Sequence, residues 1–506
     1  MLGISHSVSA QQEKSVSTTT QKLTEKREQE LQEIKSMVQS LLPVHATDAT
    51  STTWTLEKCI AYAVENNLQI SEAVLNERMA NLVYQQSKYS RLPSLNGDAS
   101  LGDSYGRSID PTSSQLVTKG FLYNSVGLSS NALLFGWFQK KYQVEQYALD
   151  QEATVNANKQ LQDDIALNVA TGFLRVLLAR EQVKVSEAQL KLDNDQYAQT
   201  LQFVNAGKLP ELNALQMESQ LASDSSHLVS TQSDERIALL QLKAILNLNF
   251  EQSFNIAAPA INMEVVSSLD NLPIAEVVYN IAIQNQHSMK ANTLKLLSAY
   301  KTLAIAKAMQ YPQLSIQGTL GTNFSSNVKD IKDYTYVGET TVGYVSVAGT
   351  DYPITQPDYK ITTQTRPFSK QYTDNIRANI GLGLSIPIFN GYAYKTNIQK
   401  AKIGLVSQQF VIETDKQKLK QNIYTAYEEA KSSSQKYIAA IRAESTAQRA
   451  VDFAVKRYSV GMINMYEYTS IVNNLYMASS SVLSSKYDLI FKLKVLDYYM
   501  GHPIKL

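Results

Sequence analysis

The clearest hydrophobic pattern in the chain is a strict alternation around residue 380. The apolar positions are Ile376, Ala378, Ile380, Leu382, Leu384, Ile386 and Ile388, and small or polar residues separate them. A period of two residues predicts a β-strand with one apolar face and one small or polar face. A noisier alternation predicts a matching strand at 126–134, and the segments 95–105 and 314–324 predict the strands that open each pair.

Helical periodicity fills most of the remaining chain. A segment dense in lysine and glutamate predicts a short helix at 23–42, and Thr55 is a candidate N-cap for a helix that continues to about residue 89, before Pro93. A matching pattern runs from about 274 to 309 and stops before Pro312. The stretches 136–209 and 391–462 contain no interrupting proline. They predict two helices of roughly 65 to 70 residues, on the order of 100 Å long.

The two halves of the chain repeat each other. Ala63, Asn66, Pro93 and Leu101 recur 219 positions later, whereas Gly127, Leu128, Phe135, Gly207, Leu239 and Leu242 recur 254 positions later. The two offsets differ by a single insertion of 35 residues, which falls in one loop. A repeat that keeps its register over this length predicts two copies of one large structural unit.

The repeat sets the domain organisation that we expect. The segment 1–53 has no counterpart and precedes a first repeat at 54–250, a connector at 251–272 and a second repeat at 273–506. The second repeat carries the larger loop, at 323–372, which is rich in tyrosine and threonine and alternates well enough to predict an extra hairpin. Three roles remain open for this loop: narrowing a pore, binding a partner or shielding the strands.

Charge and composition exclude several classes of function. The chain has 506 residues and a formal net charge of +1, so no basic surface points to nucleic acid. Its single cysteine, Cys59, lies in an apolar helical pattern, which favours a buried structural thiol. The five histidines are scattered without metal-ligand spacing, and paired carboxylates such as Asp163 and Asp164 lie on long helices. We therefore expect no enzyme, no cofactor and no metal site.

The polarity of the strands bears on the membrane. No stretch approaches the roughly 18 to 20 consecutive apolar residues of a transmembrane helix. Val8-Ser9-Ala10 resembles the cleavage site of a signal peptide. We interpret it as the end of a truncated signal peptide, and a chance resemblance is the alternative. Four strands with an apolar outer band would leave unpaired edges. Three chains would supply about twelve strands, enough to close a barrel around an open lumen.

Taken together, the motifs resemble those of TolC-type outer-membrane efflux proteins over about residues 54–501. They are the opening from Leu56 to Asn66, the helix-ending Pro93 and Pro312, the strand end Ile386-Pro387-Ile388-Phe389-Asn390-Gly391, and the glycine turns at Gly207 and Gly461. The resemblance implies a mainly α-helical homotrimer with a twelve-stranded transmembrane β-barrel and a long α-helical tunnel through the periplasm. It implies a passive exit duct for efflux or type I secretion, joined by a periplasmic adaptor to an inner-membrane transporter.

The resemblance also implies a gate at the periplasmic end of the tunnel. Tyr458 matches the family's tyrosine three residues before the turn glycine, and Glu467 falls where one acid of a constricting ring is expected. Asn213 occupies the place of a carboxylate that accepts a bond from that tyrosine, while Ile463 and Ser470 replace a basic residue and a second acid. The implied gate is closed by packing and neutral hydrogen bonds. The alternative interpretations are a solvated glutamate on a coiled-coil face and a tyrosine packed at a helix end.

The turns between the long helices are candidate docking tips for the adaptor. Gly207 and Gly461 are expected to have positive φ, which glycine tolerates best. We expect the residues after them, Lys208, Leu209, Met462 and Ile463, to be exposed. A coiled-coil scaffold protein without transport activity is the alternative to the duct, although it does not explain the strands.

Overall fold

The computed structural model describes residues 25–39, 53–109, 116–259, 273–502 and 504. The helices are α1 (25–39), α2 (Leu56–Asn66), α3 (Leu68–Tyr89), α4 (Gln139–Asn205), α5 (Glu211–Ile245), α6 (Ala275–Asn285), α7 (His287–Ala308), α8 (Phe368–Asp374), α9 (Ala393–Ser459) and α10 (Met465–Tyr499). The strands are β1 (Thr53–Trp54), β2 (Ser94–Ile109), β3 (Leu116–Phe135), β4 (Asn255–Ile256), β5 (Gln313–Ser325), β6 (Lys329–Val347), β7 (Thr350–Thr365) and β8 (Arg377–Ser385). The expected signal-peptide remnant at residues 8–10 lies outside the described residues.

Corresponding helices in the two halves have equal lengths. The order in each half is a helix of 11 residues, one of 22, two strands of the main sheet, a helix of 67 residues and a returning helix of 35. The two predicted long helices are therefore confirmed. The short N-terminal helix is also present, at residues 25–39.

The helix that opens each half is interrupted, so the prediction of one continuous helix is wrong. Asn67 and Gln286 separate the two segments, with ψ angles of 128° and 126° that place both residues outside the helical region. The Asn67 side chain accepts a hydrogen bond from the backbone N–H of Gln69 at 2.8 Å. That bond satisfies one of the free donors at the start of α3 and thereby stabilises the break.

Four strands form one antiparallel sheet in the order β2-β3-β5-β8. The four strands predicted from the two halves thus pair directly. Strands β2, β5 and β8 begin within two residues of the expected positions, whereas β3 begins at Leu116, well before the expected residue 126. The last strand is shorter than its alternation suggests, because it ends at Ser385, before Pro387. A proline cannot donate a backbone hydrogen bond to a neighbouring strand, so Ile386 and Ile388 lie beyond the sheet.

The register aligns the hydrophobic alternation across all four strands. One face carries Leu95, Ala99, Leu101, Val126, Leu128, Ile316, Leu320, Ile380, Leu382 and Leu384. The opposite face carries Asn96, Asp98, Ser100, Ser125, Ser129, Gln317, Thr319, Asn379 and Gly381. Most large side chains of the apolar face are exposed in the single chain, and Ile380 reaches 82%. An apolar face of this extent is the kind of surface that meets lipid or another protein.

The large loop of the second half forms the predicted extra hairpin. Strands β6 and β7 pair antiparallel as a separate two-stranded sheet, and the short helix α8 follows before β8.

Two compact units divide the chain. The first contains the described residues of 1–82, 148–298 and 406–506, and the second contains 83–147 and 299–405. The core of the first unit includes an apolar seam on α4, since Ile165, Val169, Phe173 and Val176 are each 4% exposed or less. In the same unit the parallel pair β1–β4 joins Thr53–Trp54 to Asn255–Ile256, a contact that the sequence did not indicate.

Candidate functional site

Both long helices end in the same backbone motif. Gly207 and Gly461 have φ angles of 71° and 76°, as predicted. At the first turn the N–H of Lys208 donates to the Phe203 carbonyl, and the N–H of Gly207 donates to the Val204 carbonyl, each at 2.9 Å. The second turn repeats this arrangement, which satisfies carbonyls at the end of the helix and defines a Schellman motif.

The residues after the two glycines differ in exposure, which corrects one expectation. Met462 is 70% exposed and Lys208 is also exposed, but Ile463 is only 7% exposed. Leu209 is half-buried and packs against the same apolar cluster as Ile463. Ile463 and Leu209 therefore close the end of the helical core, and the exposed part of each tip is smaller than expected.

Two buried tyrosines form the centre of this cluster. Tyr458, at the end of α9, stacks on Tyr468 of α10 with ring centroids 5.0 Å apart. The Tyr458 hydroxyl lies 3.4 Å from Thr200 Oγ1, and the Tyr468 hydroxyl donates to Gln196 Oε1, also at 3.4 Å. Burial, with the negative charge of Asp193 as a second cause, raises the pKa of Tyr468 to about 12. Both rings thus join the second helical hairpin to polar side chains of α4.

Those partners belong to a buried line of polar residues on α4, here called the polar row. It consists of Ser186, Gln189, Asp193, Gln196 and Thr200, all 8% exposed or less. The spacing alternates between three and four residues, which is the spacing of the positions that face a partner helix in a coiled coil. Polar side chains at such positions form directional bonds and fix the register between helices at a cost in stability.

Asp193 is the charged member of the polar row. Gln189 Nε2 donates to Asp193 Oδ2 at 3.0 Å, and Asp224 of α5 is its carboxyl neighbour. Burial and, as a second cause, a hydrogen bond with Asp224 raise the pKa of Asp193 to about 8. The hydrogen bond from Gln189 lowers the same pKa. The raised pKa favours the protonated form of Asp193, which can donate a hydrogen bond instead of carrying a buried charge.

A second tyrosine contact lies beside the start of the polar row. The Tyr476 hydroxyl of α10 lies 3.0 Å from Ser186 Oγ and 2.5 Å from His227 Nε2. Gln182 Nε2 donates to the same hydroxyl at 3.2 Å and to Ser480 Oγ at 2.7 Å. Helices α4, α5 and α10 are thus joined by hydrogen bonds along several turns.

The gate residues proposed from the sequence are not all brought together within one chain. Glu467 and Ser470 are exposed on one side of α10, opposite the buried Tyr468. Asn213 lies in the first turn of α5 and is half-buried. Within the described contacts, the Tyr458 hydroxyl meets Thr200 instead of Asn213. Glu467 lies in the first helical turn, where its N–H is capped by Asn464 Oδ1 at 2.8 Å and its charge is favourable.

The polar row is the feature that sequence reasoning missed. The sequence does contain an indication of it, because polar residues recur at heptad spacing between the apolar seam of α4 and the turn at Gly207. Such spacing is usually attributed to a solvated helix face, and only the position of α10 reveals that this face is buried.

Two kinds of feature are absent from the described residues. No helix among them has both the length and the apolar character needed to cross a membrane. They also contain no group of three or more histidine, cysteine, aspartate or glutamate side chains arranged to hold a metal ion.

Sequence comparison finds one family along most of the chain. The family model for "Outer membrane efflux protein" matches residues 60–248 and 278–502. Outer membrane protein TolC of Escherichia coli (strain K12) is 21% identical over 330 residues, an alignment that spans 65% of this chain and 59% of that protein.

Solved structures share the fold at low sequence identity. CusC, whose crystal structures address folding and transmembrane channel formation, superimposes with a TM-score of 0.69 at 19% identity, over 91% of this chain and 97% of CusC. VceC, an outer membrane protein from Vibrio cholerae, gives a TM-score of 0.70 at 13% identity, over 89% of this chain and 97% of VceC. The likeness covers nearly the whole of each solved chain, so this chain has the fold of the outer-membrane channel proteins.

Proposed function

Because the chain belongs to the outer membrane efflux protein family, we propose that it is the exit duct of a tripartite efflux or type I secretion system. As a member of this family it is an outer-membrane protein that extends into the periplasm. In the proposed system a periplasmic adaptor links it to an inner-membrane transporter, which supplies the energy and the cargo.

The observation that carries this proposal is the amphipathic four-stranded sheet. Its two outer strands, β2 and β8, have no partner on their outer edges within the described chain. Three copies joined edge to edge would close a barrel of twelve strands, which removes every unpaired edge. The face with Leu101, Leu320 and Leu382 would then meet lipid, and the face with Asn96, Gln317 and Asn379 would line the lumen.

The gate is proposed at the ends of the second helical hairpin. Glu467 and Ser470 lie on the exposed side of α10, so a three-fold axis beside that side would bring three copies of each together. Three glutamates around one narrow axis would repel each other and attract cations. Tyr458 is buried behind them and holds α9 against α4 through Thr200. Asn213, which is half-buried in the first turn of α5, is proposed as a further polar residue of the gate.

The adaptor is proposed to dock on the turns at Gly207 and Gly461. Lys208 and Met462 are the exposed residues directly after the two glycines. Leu209 and Ile463 would support these turns from inside, because both pack into the cluster around Tyr458. An exposed methionine at a tight turn is suited to a partner helix, since its flexible thioether adapts to uneven surfaces.

Single-channel current across a planar lipid bilayer tests the duct. Protein extracted from membranes in detergent is expected to give discrete conductance steps and to be trimeric by light scattering. A protein that stays soluble and monomeric without detergent would contradict the duct and favour the scaffold interpretation.

The gate has a separate test in the same assay. Tyr458→Phe is expected to raise the open probability, and Glu467→Gln is expected to lower the preference for cations because it removes the charges that attract them. Glu413→Gln, at an exposed glutamate on α9, serves as the matched control. If all three variants behave like the parent protein, the duct stands and the gate assignment is wrong.

A further inference from the structure

The inserted hairpin β6–β7 is a long structural element with no cover within the described chain. All sixteen residues of β7 are exposed, and so are most residues of β6. An isolated two-stranded hairpin is at best marginally stable in water, because neither face is packed. A hairpin of this length therefore calls for a partner.

The base of the hairpin is held rigidly against the strand that precedes it. Gln371 of α8 is fully buried and exchanges two hydrogen bonds with the backbone of Ser325, each at 3.0 Å. Arg366 donates to Asp330 Oδ1 at 2.7 Å across the base, and the Gln371 amide donates to the Arg366 carbonyl at 2.9 Å. The direction in which the hairpin leaves the sheet is thus fixed before any partner binds, which lowers the entropic cost of binding.

The two faces of the hairpin differ in chemistry. The register places Ile331, Tyr334, Tyr336, Tyr359 and Ile361 on one side of its basal half, here called the tyrosine face, and each is 46% to 58% exposed. The other side of the same segment carries Asp330, Asp333, Thr335, Lys360 and Thr362. The Tyr336 and Tyr359 rings contact each other edge to face with centroids 5.8 Å apart. Exposed aromatic side chains grouped on one face mark an interaction surface.

The edges of the hairpin are protected against pairing, so the tyrosine face is the surface left for a partner. Strand β6 has three register shifts, between Ile331 and Asp333, Tyr336 and Gly338, and Thr341 and Gly343. Strand β7 contains Pro353 and Pro357, which have no N–H to donate. Bulges and prolines are the devices by which proteins prevent addition of a strand to an open edge.

The position of the hairpin in the chain indicates which partner it meets. It is inserted between β5 and β8, and β8 is the edge strand of the four-stranded sheet. In the trimer proposed above, on which this inference rests, that edge joins the next copy, so three hairpins would stand at equivalent points around one axis. Twelve strands about 4.8 Å apart and tilted by about 40° enclose a radius of roughly 12 Å. The sixteen residues of β7 extend over about 50 Å, which is longer than that radius.

The chemistry of the tyrosine face favours protein over lipid. Lys329 and Glu339 lie on the same side as the tyrosines, and burying such charges in hydrocarbon is costly. Tyrosine, by contrast, is enriched at the centres of protein interfaces, where a charged rim is tolerated. We propose that the tyrosine faces of three copies of this chain pack against one another around the trimer axis and form a collar at the outer mouth of the duct.

Disulfide cross-linking between single cysteines tests this arrangement. Tyr336→Cys lies on the tyrosine face, and its neighbour Thr335→Cys on the opposite face is the matched control. Native Cys59 can stay in place, because burial raises the pKa of its thiol to about 12 and the side chain is 0% exposed. Oxidation of outer membranes with copper–phenanthroline is expected to convert Tyr336→Cys mostly to covalent dimers, with at least fivefold less dimer for Thr335→Cys.

Each other outcome overturns a defined part of the argument. If both variants are trimeric in detergent and Tyr336→Cys forms no more covalent dimer than Thr335→Cys, the collar is wrong and the duct stands. Equal labelling of both cysteines by a charged maleimide in intact membranes would show a face open to water. If Tyr336→Cys forms no cross-link and is labelled by the maleimide in detergent but not in membranes, the tyrosine face lies against lipid. Absence of a trimer would contradict the proposed function itself.

Discussion

Two stretches of α4 are buried to the same degree but have opposite chemistry. The apolar row, Ile165, Val169, Phe173 and Val176, is at most 4% exposed and lies in the core with α2, α5 and α10. The polar row, from Ser186 to Thr200, is at most 8% exposed and lies against α10 and the end of α9. Burial alone therefore says little about how firmly a helix is held.

The two rows are held by different forces. The apolar row stabilises the folded chain because its side chains are removed from water. This stabilisation depends on close packing and not on bonds to particular partners. The polar row depends on directional hydrogen bonds. The longest of those described here, at 3.4 Å, join α4 to Tyr458 and Tyr468. Bonds of that kind can be exchanged for water or for other partners at small net cost. We expect the apolar half to be permanent and the polar half, next to the turns, to be adjustable.

The largest expected effect is the loss of Phe173. Phe173→Ala leaves a cavity in the apolar row, where the ring is 1% exposed, and should lower the free energy of unfolding by about 3–5 kcal/mol. Urea unfolding in detergent, followed by far-UV circular dichroism, measures the loss. Phe453→Ala on α9, where the ring is 67% exposed, is the control and should change little. Equal losses in the two variants would refute the contrast between core and surface.

The next effect concerns pH and separates the two rows most sharply. The pKa of Asp193 is about 8 in the folded chain and 3.8 in the reference state, so the folded chain keeps a proton that the unfolded chain releases. The contribution of Asp193 to the free energy of unfolding should be fully present below the lower of these two values, decrease as the pH rises between them, and be lost above the higher one. Unfolding titrations at a series of pH values in that range measure the slope.

Two variants assign the slope to Asp193. Asp193→Asn should remove the decrease in stability with pH over this range. Asp224→Asn should move the upper end of the range to lower pH, because Asp224 is a cause of the raised pKa of Asp193. His227→Gln controls for the histidine that contacts Tyr476 nearby. A slope that survives in Asp193→Asn would show that another group controls the pH dependence of this region.

The fold was largely predictable because its patterns are local. The alternation around Ile380 and the proline-free helical stretches predict elements whose period alone identifies them. The breaks at Asn67 and Gln286 were not predictable, since both residues are tolerated in a helix and the period of the pattern does not show that they adopt an extended ψ.

The site was less predictable than the fold, for a physical reason. Gly207 and Gly461 were identified because a positive φ is a requirement of the backbone itself. The burial of Ile463 and of Asp193 depends on which face of α10 meets α4, and a single sequence does not state how two distant helices align.

A hydroxyl added to the apolar row should cost more than a hydroxyl removed from the polar row. Phe173→Tyr places an O–H in the hydrophobic core of the first unit. An unsatisfied buried polar group costs about 1–3 kcal/mol, and crowding adds to this figure. The same urea titration measures the loss. If Phe173→Tyr does not lower the free energy of unfolding, the core around the apolar row contains space or water that can accommodate the hydroxyl, and the proposed contrast is wrong.

The smallest expected effect is that of Tyr468→Phe in the polar row. The substitution removes only a hydroxyl whose bond to Gln196 is 3.4 Å long and keeps the ring stacked on Tyr458. The free energy of unfolding should fall by no more than about 1 kcal/mol. Because the lost bond joins α10 to α4, the open probability of the channel in planar bilayers should nevertheless rise. A loss of stability as large as that of Phe173→Tyr, with unchanged channel activity, would show that the polar row is as rigid as the apolar one.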